Sequence, residues 1–160
     1  MGGSIQHQAL LAVFYCILLR LSHGCSSKGG TYGDYRVIKK SDSNGNKIVV
    51  ALGEDTKLSC QTNAPWKNCI WKPPRNGVRQ LKCLFSRHQY RKVSCPSFPE
   101  VHYYRDRRAP ENECTIIVNN INRFHEGPWK CEFELDLPNV GQNVMIYDQV
   151  CMAVRNWRYL

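Results

Sequence analysis

Apolar residues fall in two textures along the chain. Near its start, Ala9 to Leu19 (ALLAVFYCILL) is an unbroken run of eleven apolar residues. From Lys47 onwards the apolar positions alternate with polar ones, a period of two that turns one face of a strand inward and the other to solvent. Lys47–Leu52 (KIVVAL) predicts a strand ended by Gly53-Glu54. Thr56, Leu58 and Cys60 alternate with Lys57 and Ser59. Cys69 and Trp71 alternate with Ile70 and Lys72 until Pro73-Pro74 stops the run. Asn76-Gly77 is a turn signal ahead of Val78–Phe85 (VRQLKCLF). Cys114–Val118 (CTIIV) is β-branched, as strands favour. Trp129, Cys131, Phe133 and Leu135 alternate with Lys130, Glu132 and Glu134. Asp136–Asn143 holds Pro138 and Gly141 and reads as a hairpin loop before a last strand, Val144–Val154.

Two stretches lack this period. Cys25–Asn46 is rich in Gly, Ser, Lys and Asp and reads as a loose arm with one short strand at Tyr35–Lys39. Ser86–Asn112 reads as irregular, basic and aromatic, with a short edge strand at Glu100–Arg105. Seven to nine short strands with no strong helix predict an all-β chain, a sandwich of two antiparallel sheets.

The first apolar run is too short to span a bilayer, which takes about 20 residues. Ser22-His23-Gly24 follows it with small residues at the first and third places, as at a secretory cleavage site. Gln6 stands where a myristoylation site has Ser or Thr, and the tail Arg155–Leu160 does not resemble a glycolipid-anchor signal. The expected organisation is a signal peptide at 1–24, an arm at 25–46, one folded domain at 47–154 and a tail at 155–160. The mature chain of 136 residues would carry 21 Lys+Arg against 13 Asp+Glu, a formal charge of +8.

An oxidising compartment changes the meaning of the cysteines. Cys16 leaves with the signal, and eight remain: Cys25, Cys60, Cys69, Cys83, Cys95, Cys114, Cys131 and Cys151. An even count in a secreted chain implies up to four disulfides, with 105 ways to pair them. Zinc is not expected, because there is no Cys-x-x-Cys knuckle and no paired-His spacing. Neither is catalysis or a cofactor. His88 and His102 read as solvated loop residues and His125 as a structural turn residue, oxidised cysteines are not nucleophiles, and no Gly-rich phosphate loop is present. No Asn-x-Ser/Thr sequon occurs.

Gly53-Glu54-Asp55-Thr56-Lys57-Leu58-Ser59-Cys60 resembles the second strand of an immunoglobulin domain. Trp71 lies eleven residues after Cys60, where that family has its core tryptophan. Ile116, Val118 and Ile121 resemble the fifth strand and its exit, and Gly127-x-Trp129-x-Cys131 resembles the Gly-x-Tyr-x-Cys corner. Over Lys47–Val154 the chain is similar to variable-type immunoglobulin domains, most of all to single secreted domains of arthropods. Two departures stand out. Trp129 replaces the corner tyrosine and has only an indole N–H to offer a carbonyl, and His125 stands six places before Cys131 where an acid is usual.

The resemblance implies that Cys60–Cys131 bridges the sheets against Trp71. In the same frame Cys69 and Cys114 both face inward, which suggests Cys69–Cys114. Cys83–Cys95 would then close the middle loop, and Cys25–Cys151 would tie down the arm. The main rival is Cys69–Cys83 with Cys95–Cys114.

A basic stretch runs through Arg75, Arg79, Lys82, Arg87, Arg91 and Lys92 and continues in His102-Tyr103-Tyr104-Arg105-Asp106-Arg107-Arg108. Clustered positive charge attracts polyanions through a long-range field. Arg87, Arg91, Lys92, Arg105, Arg107 and Arg108 are therefore candidate ligands for a glycosaminoglycan, while nucleic acid is not the expected partner of a secreted chain. Tyr90, Tyr103 and Tyr104 are candidate anchors for a protein partner. The plainer reading is a solvating face. Arg105-Asp106-Arg107-Arg108 also has the Arg-x-Arg-Arg form of a furin-type processing site, or is an uncut basic loop. The function expected is non-catalytic recognition of an extracellular protein or cell-surface ligand, in adhesion, signalling or humoral defence. The alternative is a glycosaminoglycan-binding matrix protein. The expected surface is the Cys83–Arg108 region with the Asp136–Asn143 loop.

Overall fold

The computed structural model describes residues 29–41, 47–74, 81–88, 93–138, 140 and 142–156. Among them lie ten strands: β1 (Val37–Lys40), β2 (Ile48–Ala51), β3 (Thr56–Thr62), β4 (Trp66–Lys72), β5 (Cys83–Ser86), β6 (Val93–Cys95), β7 (Phe98–Tyr104), β8 (Glu113–Val118), β9 (Gly127–Leu135) and β10 (Met145–Arg155). The chain is all-β, with two five-stranded sheets packed as a sandwich. Sheet one has the order β1-β3-β8-β7-β6, and sheet two β2-β10-β9-β4-β5.

The pleat explains the layers. In β3, Leu58, Cys60 and Thr62 are buried, and in β9, Trp129, Cys131, Phe133 and Leu135 are buried, each alternating with side chains on the outer face. Trp66 is also fully buried, although its spacing from Cys69 and Trp71 breaks the period of two. A register shift between Trp66 and Asn68, where β4 pairs with β9, restores its inward direction.

Four sequence expectations are corrected. Sheet two is mixed, since β2 runs parallel to β10; no hairpin joins these two, so nothing forces them antiparallel. The stretch expected to be irregular contains β6 and β7, and β7 is an interior strand of seven residues, not a short edge. Val101 and Tyr103 supply its buried face. β5 begins only at Cys83, and residues 75–80, with the expected Asn76-Gly77 turn, lie outside the described residues. The short strand expected at Tyr35–Lys39 is present as β1, but as the edge strand of sheet one, paired with β3, it makes the arm less loose than expected over residues 29–41.

Three disulfides among the described residues each cross from one sheet to the other. Cys60–Cys131 joins β3 to β9 with Cα atoms 6.6 Å apart, and Cys69–Cys114 joins β4 to β8 at 6.5 Å. Cys60 and Cys114 are register partners, as are Trp71 and Cys131, so both bonds and the indole of Trp71 occupy the centre of the core. Cys83–Cys95, at 5.3 Å, closes its own loop and also latches the edge strands β5 and β6 together. The opposite edge is latched by charge. The Lys40 ammonium, on β1, reaches β10 and donates to Asp148 Oδ1 at 3.1 Å and to Gln149 O at 3.0 Å. Cys151 is disulfide-bonded; the expected partner Cys25 lies outside the described residues.

The corner before β9 is built on a short 3-10 turn, Arg123–His125. The Asn122 side chain accepts from the Phe124 N–H at 2.9 Å, while the Asn122 N–H donates to His125 Nδ1 at 3.0 Å. Trp129 donates its indole N–H to His125 O at 2.9 Å, the carbonyl contact expected of it. Gly127 has φ +128°, a conformation that other residues rarely adopt, and a Cβ there would press on Pro74. His125 is buried beside Phe98 and Trp129, and burial holds its pKa below the usual imidazole value, against a smaller opposing pull from Glu100.

Its neutral imidazole accepts the cap hydrogen bond. On acidification the unfolded chain takes up the proton first, so stability falls as pH drops below about 6.5, the usual imidazole value. Glu132, whose carboxylate is held below its ordinary pKa, loses its contribution only at more acidic pH. Urea midpoints measured between pH 7.5 and 5.5 should fall, and His125→Gln should flatten that dependence.

Residues 29 and 30 lie along the edge of β10. The Gly30 N–H donates to Tyr147 O at 2.9 Å, and the Tyr147 N–H donates to Gly30 O at 3.1 Å. A Cβ on Gly30 would overlap the Tyr147 ring. Gly30→Ala should therefore detach this segment while sparing the core. Faster hydrogen exchange at the Gly30 and Tyr147 amides, with strand β9 unchanged, is the expected result.

Candidate functional site

The two basic clusters of the sequence meet where β5 ends and β7 ends. Arg105 Nη1 donates to the Arg87 carbonyl at 3.0 Å. Arg87 is ion-paired with Glu111 at 2.8 Å. Beyond Arg105 the chain makes an exposed turn, in which Asp106 accepts from the Arg108 N–H through Oδ1 at 2.9 Å and from the Ala109 N–H through its carbonyl at 3.2 Å. Arg107 and Arg108 are exposed. Arg91, Lys92 and Tyr90, like Arg75 and Arg79, lie outside the described residues.

The two described tyrosines face opposite ways, as neighbours on a strand must. Tyr103 is 1 % exposed and its ring stacks on Phe85 at 5.2 Å between centroids. Burial raises the pKa of its phenol, Arg105 opposes that and Glu113 adds to it. It is a core residue, which corrects its expected place on a partner surface. Tyr104 points outward, with the Lys57 ammonium 4.4 Å from its ring centroid. This pair lines a cleft of about 270 Å³ on the outer face of sheet one, together with Ser59, Asp106, Arg108, Ala109, Glu113 and Thr115. Thr115 Oγ1 donates to Glu113 Oε1 at 2.6 Å. The cleft thus mixes two cations with two carboxylates, a lining for a polar or zwitterionic group more than for a polyanion.

The outer face of sheet two carries a second constellation that the sequence reading did not single out. Glu132 is paired with Lys72 at 2.7 Å and with Lys130 at 2.8 Å. Burial alone would raise its pKa, but hydrogen bonds and charge from Lys130 and Lys72 outweigh that and hold it below the ordinary carboxylate value. The Lys130 ammonium also sits 3.7 Å from the centroid of the Tyr147 ring. Ile70 and Tyr147 are the register partners of Glu132, and Ile70 is in turn opposite Leu84. Leu84 is 55 % exposed and Met145 42 %. The face therefore has a charged centre between exposed apolar side chains. Its signal in the sequence was the outward set of β9, Lys130, Glu132 and Glu134.

His102 lies on β7, not in a loop, and its Nδ1 shares a hydrogen bond of 2.8 Å with Ser94 Oγ of β6. Among the described residues no group of three or more His, Cys, Asp or Glu side chains could hold a metal ion. No helix of the described residues is long and apolar enough to cross a membrane.

No protein-family model matches the chain, and no curated protein matches its sequence. Among solved structures, the chain is similar to one from work on the structural basis of T cell specificity and activation by the bacterial superantigen toxic shock syndrome toxin-1. That likeness covers 68 % of this chain and 92 % of the other, at 11 % identity and a TM-score of 0.46.

Glu132→Gln should leave Lys72 and Lys130 without their shared counter-charge. Glu132 is buried, but Lys72 and Lys130 are each about a third exposed and can be rehydrated, so the expected cost is about 1 kcal/mol, and added salt should shrink the difference in urea midpoint between the variant and the parent protein.

Proposed function

We propose that the protein is a secreted, non-catalytic recognition module of the variable-type immunoglobulin kind, which binds an extracellular protein or a cell-surface ligand. The observation that carries this reading is the Cys60–Cys131 bond between the sheets, with Trp71 as the register partner of Cys131. The strand order supports it. β1-β3-β8-β7 faces β10-β9-β4, and the second sheet is extended at β5, as variable-type sandwiches extend theirs. β6 departs from that arrangement by pairing with β7. The segment 1–28 lies outside the described residues, and secretion is inferred from its apolar run and from the disulfides.

The recognition surface assigned here is the outer face of β4, β5, β9 and β10, with the adjoining loop 136–143. Its exposed Leu84 and Met145 flank a charged centre, the mixture that protein partners bury. The basic segment fits a polyanion less well. Asp106, Glu111 and Glu113 stand in the same stretch as Arg105, Arg107 and Arg108, and Glu111 already engages Arg87. Opposite charges interspersed at this spacing cancel much of the field beyond a Debye length.

The oxidised domain applied to immobilised heparin should elute at an ionic strength of about 0.15 M or below. Changing Arg105, Arg107 and Arg108 to Ser should move that little. Fluorescent tetramers of the domain should bind cells that display its ligand, and the double variant Leu84→Asp with Met145→Asp should lose that binding. Elution at much higher salt, with a clear drop in the triple variant, would replace this reading with the glycosaminoglycan one.

A further inference from the structure

We infer that the bond between Arg108 and Ala109 is a processing site, cut by an endoprotease that reads paired basic residues, and that the product is a two-chain domain held together by disulfides. Three dibasic pairs occur in the sequence: Lys39-Lys40, Arg91-Lys92 and Arg107-Arg108. Only the last has a further arginine, Arg105, at the fourth place counted back from the bond. The structure separates it from Lys39-Lys40 in a second way. Lys39-Lys40 belongs to β1, which is laddered to β3, and the Lys40 ammonium is held by Asp148 at 3.1 Å. Arg91-Lys92 lies outside the described residues. Asp106, Arg107 and Arg108 are exposed, in a turn between two strands.

A protease of this kind binds its target as an extended strand, so the turn must open without unravelling the sheet. The geometry allows it. The β7–β8 ladder ends at Tyr104 and Thr115, before the turn on one side and beyond it on the other. The bonds from the Arg108 and Ala109 amides both end on exposed Asp106, and opening must also release the Glu113 N–H from Pro110 O, the Arg105 guanidinium from Arg87 O and Glu111 from Arg87. After the turn the chain is pinned again, where the Thr62 N–H donates to Asn112 O at 3.1 Å and Gln61 Nε2 donates to Asn112 Oδ1 at 3.2 Å. Opening is thereby confined to the residues around the bond.

Hydrolysis adds one water across the amide. It leaves a carboxylate on Arg108 and an ammonium on Ala109, and consumes no other reactant. The fragments cannot separate, because Cys60–Cys131 and Cys69–Cys114 both join residues before the cut to residues after it. The new charges arise at the rim of the cleft where Lys57, Tyr104 and Glu113 stand, so the cut rewrites the electrostatics of that site without dismantling the sandwich.

The test uses the full mature chain, oxidised and folded, incubated with furin. The expected result is one band on a non-reducing gel and two on a reducing gel, with the shorter fragment beginning at Ala109 by mass and by N-terminal sequencing. Arg108→Ala should abolish the cut and Arg105→Ala should slow it, while both variants keep the parent's near-ultraviolet circular dichroism. Two results overturn the proposal. One is a folded chain that resists the protease while the reduced, unfolded chain is cut at Arg108. The other is preferential cleavage after Lys40 or Lys92. Neither outcome touches the recognition reading, whose test is ligand binding by the uncut domain.

Discussion

The Cys60–Cys131 bond sets how far apart the two sheets can stand, and much of the core is arranged around that distance. Facing sheets in sandwiches are separated by about 10 Å. Where this bond crosses, the Cα atoms are 6.6 Å apart, so the two strands it joins are held close at the centre. The space around the bond is filled by large side chains. Trp71, Trp66, Trp129 and Phe133 do so, all fully buried, with Trp66 meeting Phe133 edge-on at 5.9 Å. The neighbouring Cys69–Cys114 bond repeats the constraint one strand along each sheet. With the centre fixed, the two open edges still needed closing. One is closed covalently by Cys83–Cys95 and the other electrostatically by Lys40 and Asp148. Each of the covalent staples adds stability chiefly by constraining the unfolded chain.

The parts of this fold that were legible in the sequence are those where one face of a strand is buried and the other wet. β3 and β9 show it in a strict alternation, and β8 in its β-branched run. β7 was legible only in part, as a short edge strand at Glu100–Arg105, because Val101 and Tyr103 are interleaved with Glu100, His102 and Tyr104 and its apolar face reads as basic and aromatic. Trp66 was hidden by the register shift that restores its direction. The parallel pairing of β2 with β10 joins segments far apart in the chain, and no local pattern encodes it.

The candidate sites were legible as charges but not as pairs. Arg87, Arg105, Arg107 and Arg108 stand out in any count of basic residues. That Glu111 would meet Arg87, and Asp106 would cap the turn, depends on how β5 and β7 end side by side. The contrast between Tyr103 and Tyr104 is a matter of register, since a shift of one residue would exchange the buried ring for the exposed one. The charged centre on sheet two was visible only as alternate residues of β9, because its partners come from β4 and β10.

The bonds across the sandwich also decide how the molecule would behave under tension. A pull along the chain from both sides of the domain would be carried through Cys60–Cys131, which bypasses the stretch between them. With a sequence separation of 71 residues, roughly 240 Å of extended contour could not be paid out until that bond was reduced. Only the flanking strands β1 and β2, and parts of β3 and β9, could peel away; Cys151 is itself disulfide-bonded, so β10 is also held as far as that residue. Held at its two ends, such a domain would be a short, stiff link whose reach is set by redox chemistry and not by load.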